Sequence, residues 1–162
     1  MILEIKKYGD PILEKETEEV KELTLGIHRL ITDMIETMYH VQGVGLAASQ
    51  VGISKKIAVV DIGEGIKVLI NPKILKAEGS QKEEEGCLSL PRINLNIKRA
   101  KEIEYETLDK HNQIIRKKAK GLLARVIQHE IDHLDGKLII DKVGFWERRK
   151  LRNLLKDIKE KK

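Results

Sequence analysis

The chain has 162 residues, a length that suits one domain able to bury its own core. Aromatic residues make up only 3%, so Leu, Ile and Val must supply most of that core. No apolar run approaches the ~18 residues of a membrane span, the first residues carry no signal-peptide h-region, and a lone cysteine, Cys87, excludes an internal disulfide; the expectation is a cytoplasmic protein with no membrane attachment.

Along the chain, Tyr8-Gly9-Asp10-Pro11 reads as a turn, because proline presets its own φ and restricts the residue before it. Ile27, Leu30, Ile31, Met34, Ile35 and Met38 then follow the spacing of an amphipathic helix, which ends near His40, before Gly43 and Gly45. Lys56–Asp61 and Ile66–Ile70 are short β-rich runs separated by Gly63-Glu64-Gly65, the pattern of a hairpin. Ile93, Leu95 and Ile97 alternate with polar residues as in a half-buried strand, and Ile103, Tyr105 and Thr107 continue the alternation. Asp109–Asn112 is a turn into a strand around Ile114 and Ile115.

Helix periodicity returns after Gly121 through Leu122, Val126, Ile127, Ile131 and Leu134, with Gly136 as its stop. A last helix is expected over Phe145–Ile158. The reading is an α+β fold of one domain, residues 1–162. Central antiparallel β-sheets pack around one helix, with further helices at the N- and C-terminal ends. Residues 143–162 form the C-terminal helical segment.

Charge is unevenly placed. The net charge is +5, and Glu147–Lys162 alone hold eight Lys/Arg against three Asp/Glu, so the rest of the chain is formally neutral. A solvated helix with a basic last turn accounts for this through the helix dipole. A contact with an anionic surface such as RNA is the alternative.

The most informative stretch is His129-Glu130-Ile131-Asp132-His133. Two histidines four apart on a helix lie about 40° apart around its axis, so both can reach one metal ion. Glu130, about 60° from His133 on the other side, flanks such a site without being forced to ligate, where a general base must stand. A catalytic metal needs three protein ligands and an open position, and Cys87, in Glu85-Gly86-Cys87-Leu88-Ser89-Leu90-Pro91, is the best candidate for the third. Small residues in Gly43–Gln50 let backbone approach a ligand or another segment closely, and Gln50 could offer an amide donor, although that segment alone does not assign it. Two rivals stay open at this point. A zinc peptidase would take a downstream carboxylate, Asp135 or Asp141, as third ligand. A nucleic-acid-binding protein with a structural metal would use the basic tail, although its site would need a fourth protein ligand.

Together, Gly43-Val44-Gly45-Leu46-Ala47-Ala48-Ser49-Gln50, Glu85-Gly86-Cys87-Leu88-Ser89 and His129-Glu130-Ile131-Asp132-His133 resemble the three signature motifs of the peptide deformylase family, complete and in the family's order. The resemblance implies removal of the formyl group from N-terminal formylmethionine of newly made proteins, releasing formate. It implies that Cys87, His129 and His133 bind the metal, typically Fe(II) in this family, with Zn, Ni or Co as substitutes. Glu130 would be the general base toward water activated by the metal. Gln50 and the Leu88 N–H would hold the oxyanion, Gly45 would bond the substrate backbone, and Val44 would line the methionine pocket. Asn94 stands near where several relatives carry an arginine, which affects preference beyond methionine rather than the chemistry. The implied partners are formyl-methionyl nascent peptides and, through the basic C-terminal helix with Arg148, Arg149, Lys150 and Arg152, the ribosome. No sequence-specific nucleic-acid binding is implied.

Overall fold

The computed structural model describes residues 1–161; Lys162, the last residue of the expected basic segment, lies outside the described residues. Helix α1 (Leu25–His40) starts where Thr24 accepts a 3.2 Å hydrogen bond from the Ile27 N–H, a side-chain cap for one orphan donor of the first turn. Its buried face is Met34, Thr37 and Met38, on the periodicity read from sequence.

Among the described residues, eight strands form three antiparallel sheets. Strands β1 (Gly45–Ala47), β2 (Ile57–Val60) and β3 (Lys67–Ile70) make one, with Leu46 opposite Val59 and Val59 opposite Val68. The hairpin expected around Gly63-Glu64-Gly65 is the β2–β3 connection. A second sheet joins β4 (Lys73–Glu78), β7 (Glu102–Leu108) and β8 (Ile114–Lys120). The third is the hairpin of β5 (Gln81–Cys87) with β6 (Leu90–Arg99), where Ile93, Leu95 and Ile97 are buried and their neighbours exposed.

Helix α2 (Gly121–Leu134) runs through the middle of the molecule. Ala124, Ile127, Ile131 and Leu134 pack on Ala47, Ala58 and Tyr105. Burying Ile127 and Leu134, 0% and 1% exposed, contributes about 1.5–3 kcal/mol each. This packing leaves the opposite stripe of α2, Arg125, His129 and His133, turned to the β5–β6 hairpin.

The chain ends in α3 (Phe145–Lys150) and α4 (Arg152–Glu160) rather than the single helix expected over Phe145–Ile158. At Leu151 the N–H bonds to the Arg148 carbonyl at 3.1 Å, an i→i+3 bond that tightens the turn and separates the two halves. Leu155 and Ile158 are buried among Leu13, Leu95 and Leu138, whereas Phe145 and Trp146 stay exposed.

Candidate active site

Three side chains from two elements converge. His129 and His133 are one turn apart on α2, with Nε2 atoms 3.2 Å from each other. Cys87, the last residue of β5, places its Sγ 3.3 Å from His133 Nε2. All three ligand atoms lie within 4.8 Å of one another, the one such group of candidate metal ligands among the described residues. The shorter two separations are close to the ~3.3–3.6 Å edges of a tetrahedron built on bonds of 2.0–2.3 Å, so the donor set fits a metal ion. Neither carboxylate of the peptidase alternative joins it: Asp135 is exposed, and Asp141 accepts from the Leu138 N–H at 2.8 Å and from Arg148 at 2.9 Å.

A bulge aims Cys87. Gly86 pairs with Asn94, but Cys87 pairs with Leu90, so Pro91–Ile93 are extra residues on the β6 side. Bulges turn a side chain away from the plain pleat, commonly beside a functional site. Arg92 takes a φ of +68° within it. Asn94 lies opposite Gly86, where a Cβ on Gly86 would come 2.9 Å from its Oδ1.

Behind the two histidines lies a buried charge network that sequence reading does not single out. His129 Nδ1 donates to Glu85 Oε1 at 2.9 Å, which leaves Nε2 free to face the ligand point. Glu85 also accepts two 2.9 Å bonds from Arg99 and one from Arg125, and Arg99 reaches on to Asp132. Arg125 donates further to the carbonyls of Ile97 and Gln81 at 2.9 and 2.8 Å, tying α2 to the hairpin. One signal for it stands in the sequence: Arg125, His129 and His133 repeat every four residues, a polar stripe on an otherwise core-facing helix.

Charge balance shows what the cluster prefers. Burial pushes the Cys87 thiol up, but the imidazoles of His133 and His129 outweigh it and hold it well below the usual thiol range. Burial lowers His129, yet Cys87 and Glu85 raise it to about 10. Glu85, although burial opposes it, is held at about 2 by His129 and Arg99. A thiolate and a carboxylate thus bracket one position that favours positive charge, whether a proton or a cation.

Glu130 is 3% exposed, and its Oε2 is buried with no hydrogen-bond partner. Burial raises its pKa, only partly opposed by His129 and His133. Gly45 gives it room, because a Cβ at Gly45 would collide with Glu130 Oε1 and meet Val126 at 3.0 Å. Gln50, 2% exposed, accepts from the Ala47 N–H at 3.0 Å through Oε1. Its Nε2 is therefore turned toward Ser89 Oγ at 3.2 Å and Cys87 Sγ at 3.8 Å. Leu88 follows Cys87 in the hairpin turn.

A cavity of about 570 Å³ opens beside these groups. It takes in Val44, Gly45, Gln50, Cys87, Leu88, His129 and Glu130, so seven of the eight residues singled out from sequence line it, and the eighth, His133, lies buried against Cys87 and His129.

Structural metal sites are closed by four protein ligands, whereas catalytic ones keep a position open to substrate. Here the described residues bring three candidate ligands together at the wall of a cavity, next to an unpartnered carboxylate. That arrangement is the one a metal-dependent hydrolase requires. The polypeptide deformylase family model matches residues 2–149. The peptide deformylase of Thermodesulfovibrio yellowstonii is 47% identical over 160 residues, covering 96% of this chain and 97% of that one. That of Dictyoglomus turgidum is 51% identical over 142 residues, covering 88% and 93%. The crystal structure of peptide deformylase from Thermus thermophilus superposes with a TM-score of 0.93 at 37% identity, covering 99% of both chains. The chain belongs to the polypeptide deformylase family, which removes the N-terminal formyl group from nascent proteins and depends on a metal.

Proposed function

We propose that Cys87, His129 and His133 hold the metal of this deformylase and that Glu130 is its general base. The observation that carries the assignment is the convergence of one sulfur and two imidazole nitrogens beside a buried carboxylate oxygen that lacks a partner. When bound, the metal supplies Lewis acidity and lowers the pKa of water toward ~7. Fe(II) is the family's usual choice, and Zn, Ni or Co suit the same donors.

The rest of the chemistry belongs to side chains and backbone of this chain. Glu130 takes a proton from the attacking water as the formyl carbon becomes tetrahedral, and its raised pKa fits it to hand that proton to the leaving amine nitrogen. Gln50 Nε2 and the Leu88 N–H donate to the oxyanion. The Gly45 backbone bonds the substrate chain, and Val44 walls the methionine pocket. Formate and a free N-terminus are the products. Formyl carries only hydrogen on its carbonyl carbon, so a site tightened around Gly45 excludes the methyl of an acetyl group.

The whole chain acts as one domain in this reading, in the cytoplasm, where a lone reduced cysteine suits the compartment. No helix among the described residues is long and apolar enough to cross a membrane. The outer face of α3 and α4, with Arg148, Arg149, Lys150, Arg152 and the exposed Phe145 and Trp146, docks on the ribosome and brings the cavity to emerging N-termini.

The test is formate release from a formyl-methionyl tripeptide by protein purified without oxygen, with Glu130→Ala and the acetylated tripeptide alongside. Release abolished by the substitution, with the acetyl peptide untouched, is expected. Comparable release from the variant would remove Glu130 from its role.

A further inference from the structure

The two proposed oxyanion donors come from separate elements. Gln50 lies within a 3-10 turn (Ala48–Val51), and Leu88 lies in the turn of the β5–β6 hairpin. Two-residue hairpin turns are normally stabilised by residues with positive φ, chiefly Gly, Asn or Asp. Leu88 and Ser89 are neither such residues nor at positive φ. This turn therefore lacks the residues that usually specify a two-residue hairpin.

The segment Lys6-Lys7-Tyr8 holds it instead. The Lys6 N–H donates to the Gln50 carbonyl at 2.7 Å, and the Tyr8 N–H to the Ser89 carbonyl at 2.9 Å. Between them the Lys7 ammonium donates to the Leu88 carbonyl at 2.9 Å. Three consecutive residues thus span both halves of the oxyanion site, and the only side chain among these three bonds is that of Lys7. Lys7 also lines the catalytic cavity, and among the described residues no carboxylate pairs with it. Its charge is spent on a backbone carbonyl beside the place where negative charge develops.

We infer that Lys7 is a positioning residue of the deformylation reaction: its ammonium fixes the Leu88–Ser89 peptide so that the Leu88 N–H stays aimed at the oxyanion. The inference rests on the reading that Gln50 and Leu88 hold that oxyanion. With the carbonyls of Leu88 and Ser89 both fixed, the turn cannot rotate away from Cys87. Without the ammonium, the Leu88 carbonyl loses its charge-assisted partner, and the remaining ties of the turn, the Tyr8 N–H and Gln50 Nε2 to Ser89 and the pairing of Cys87 with Leu90, leave the Leu88 carbonyl itself unheld. Lys7 acts in the transition state through the donor it aims, so its loss belongs in kcat rather than in KM.

The experiment compares K7M, K7R and Q50A with the parent, all nickel-loaded, on a formyl-Met tripeptide. It also measures the inhibition constant of the unformylated tripeptide, which has no carbonyl for the oxyanion site. K7M is expected to lower kcat about 10- to 100-fold, with KM and the product's inhibition constant within about twofold of the parent. K7R, which keeps the cation and the donor, should recover most of the loss. Unchanged kcat in K7M overturns the inference, as does an effect confined to KM, a matching loss of product affinity, or a K7R as slow as K7M. If K7M is unimpaired while Q50A is slow, Lys7 alone is misassigned. If Q50A is also unimpaired, the oxyanion reading itself falls.

Discussion

Glu85 is a residue that touches no substrate in this account, yet its charge should matter to both the fold and the metal. Substituting Glu85→Gln keeps the shape and changes two acceptor oxygens into one acceptor and one NH₂ donor. In the native protein Oε1 accepts from Arg99 and His129, and Oε2 accepts from Arg99 and Arg125. Whichever way the amide is turned, its NH₂ faces two N–H donors. If it faces His129, relief requires the proton to leave Nδ1 for Nε2, the atom needed at the ligand point. If it faces the arginines, two guanidinium groups with side chains 4% exposed lose their shared carboxylate. Breaking a buried pair by removing one partner costs about 3–5 kcal/mol, or about 6–20 °C in Tm for a domain of this size. Loss of the carboxylate behind a ligating imidazole weakens metal affinity about 10- to 100-fold.

The assay pairs thermal unfolding with a metal-competition titration, using Glu83→Gln as the control. Glu83 is 61% exposed on its side chain and 3.9 Å from Arg125, so its loss should stay within about 0.5 kcal/mol. Acid adds a second readout. Glu85 has its pKa lowered from 4.5 to about 2 on folding, so its stabilisation is full above about 4.5 and is lost as pH falls toward 2. E85Q should flatten the stability profile across that window. An E85Q protein with the Tm, metal affinity and acid profile of E83Q would refute the reasoning.

Further outcomes follow from the same geometry. Gly45→Ala puts a methyl against Glu130 and Val126 in backbone that alanine otherwise tolerates; kcat should fall about 10²-fold with a stability loss of about 1–3 kcal/mol, read by formate release and thermal melts. Because the imidazoles of His133 and His129 favour the thiolate of Cys87, air should inactivate an iron-loaded sample faster than a nickel- or zinc-loaded one, with mass spectrometry finding sulfinic acid at Cys87; equal lifetimes would count against that. Leu155 and Ile158 anchor α4 in the core, so the docking face is better tested by replacing Arg149, Lys150 and Arg152 with alanine than by deletion. Ribosome binding should weaken and its salt slope flatten by about 0.7–0.9 per charge removed, with formate release from free peptide unchanged.

Much of the site can be read from the chain because its chemistry is local. The two histidines and Glu130 sit within five residues of one helix, and helical geometry alone dictates their relative directions. Strands β6 and β7 are legible by alternation, since one face is buried and the other is wetter, whereas β8, buried only at Ala119, is legible from the turn that precedes it. Strands β4 and β5 are not, for Lys73–Glu78 is exposed along nearly its whole length and Gln81–Glu84 is a polar run. They are strands because their backbones pair with β7 and β6, a long-range fact with no local pattern. Gly45 making room for Glu130, and the network in which Glu85 and Arg125 stand 40 residues apart, become visible only once α2 lies against the hairpin. The break at Leu151 is hidden in the sequence because Leu151, Leu154, Leu155 and Ile158 keep helical spacing through it.

The central claim is that Cys87, His129 and His133 form one catalytic metal centre with Glu130 beside it as the base. Metal content and formate release, measured together on oxygen-free preparations of the parent, Cys87→Ala, His129→Ala and Glu130→Ala, test it most directly. A single tightly bound metal ion and full activity are expected in the parent, loss of both in the first two variants, and retained metal without activity in the third. Retained metal and activity in Cys87→Ala, or loss of metal in a folded Glu130→Ala, would contradict it.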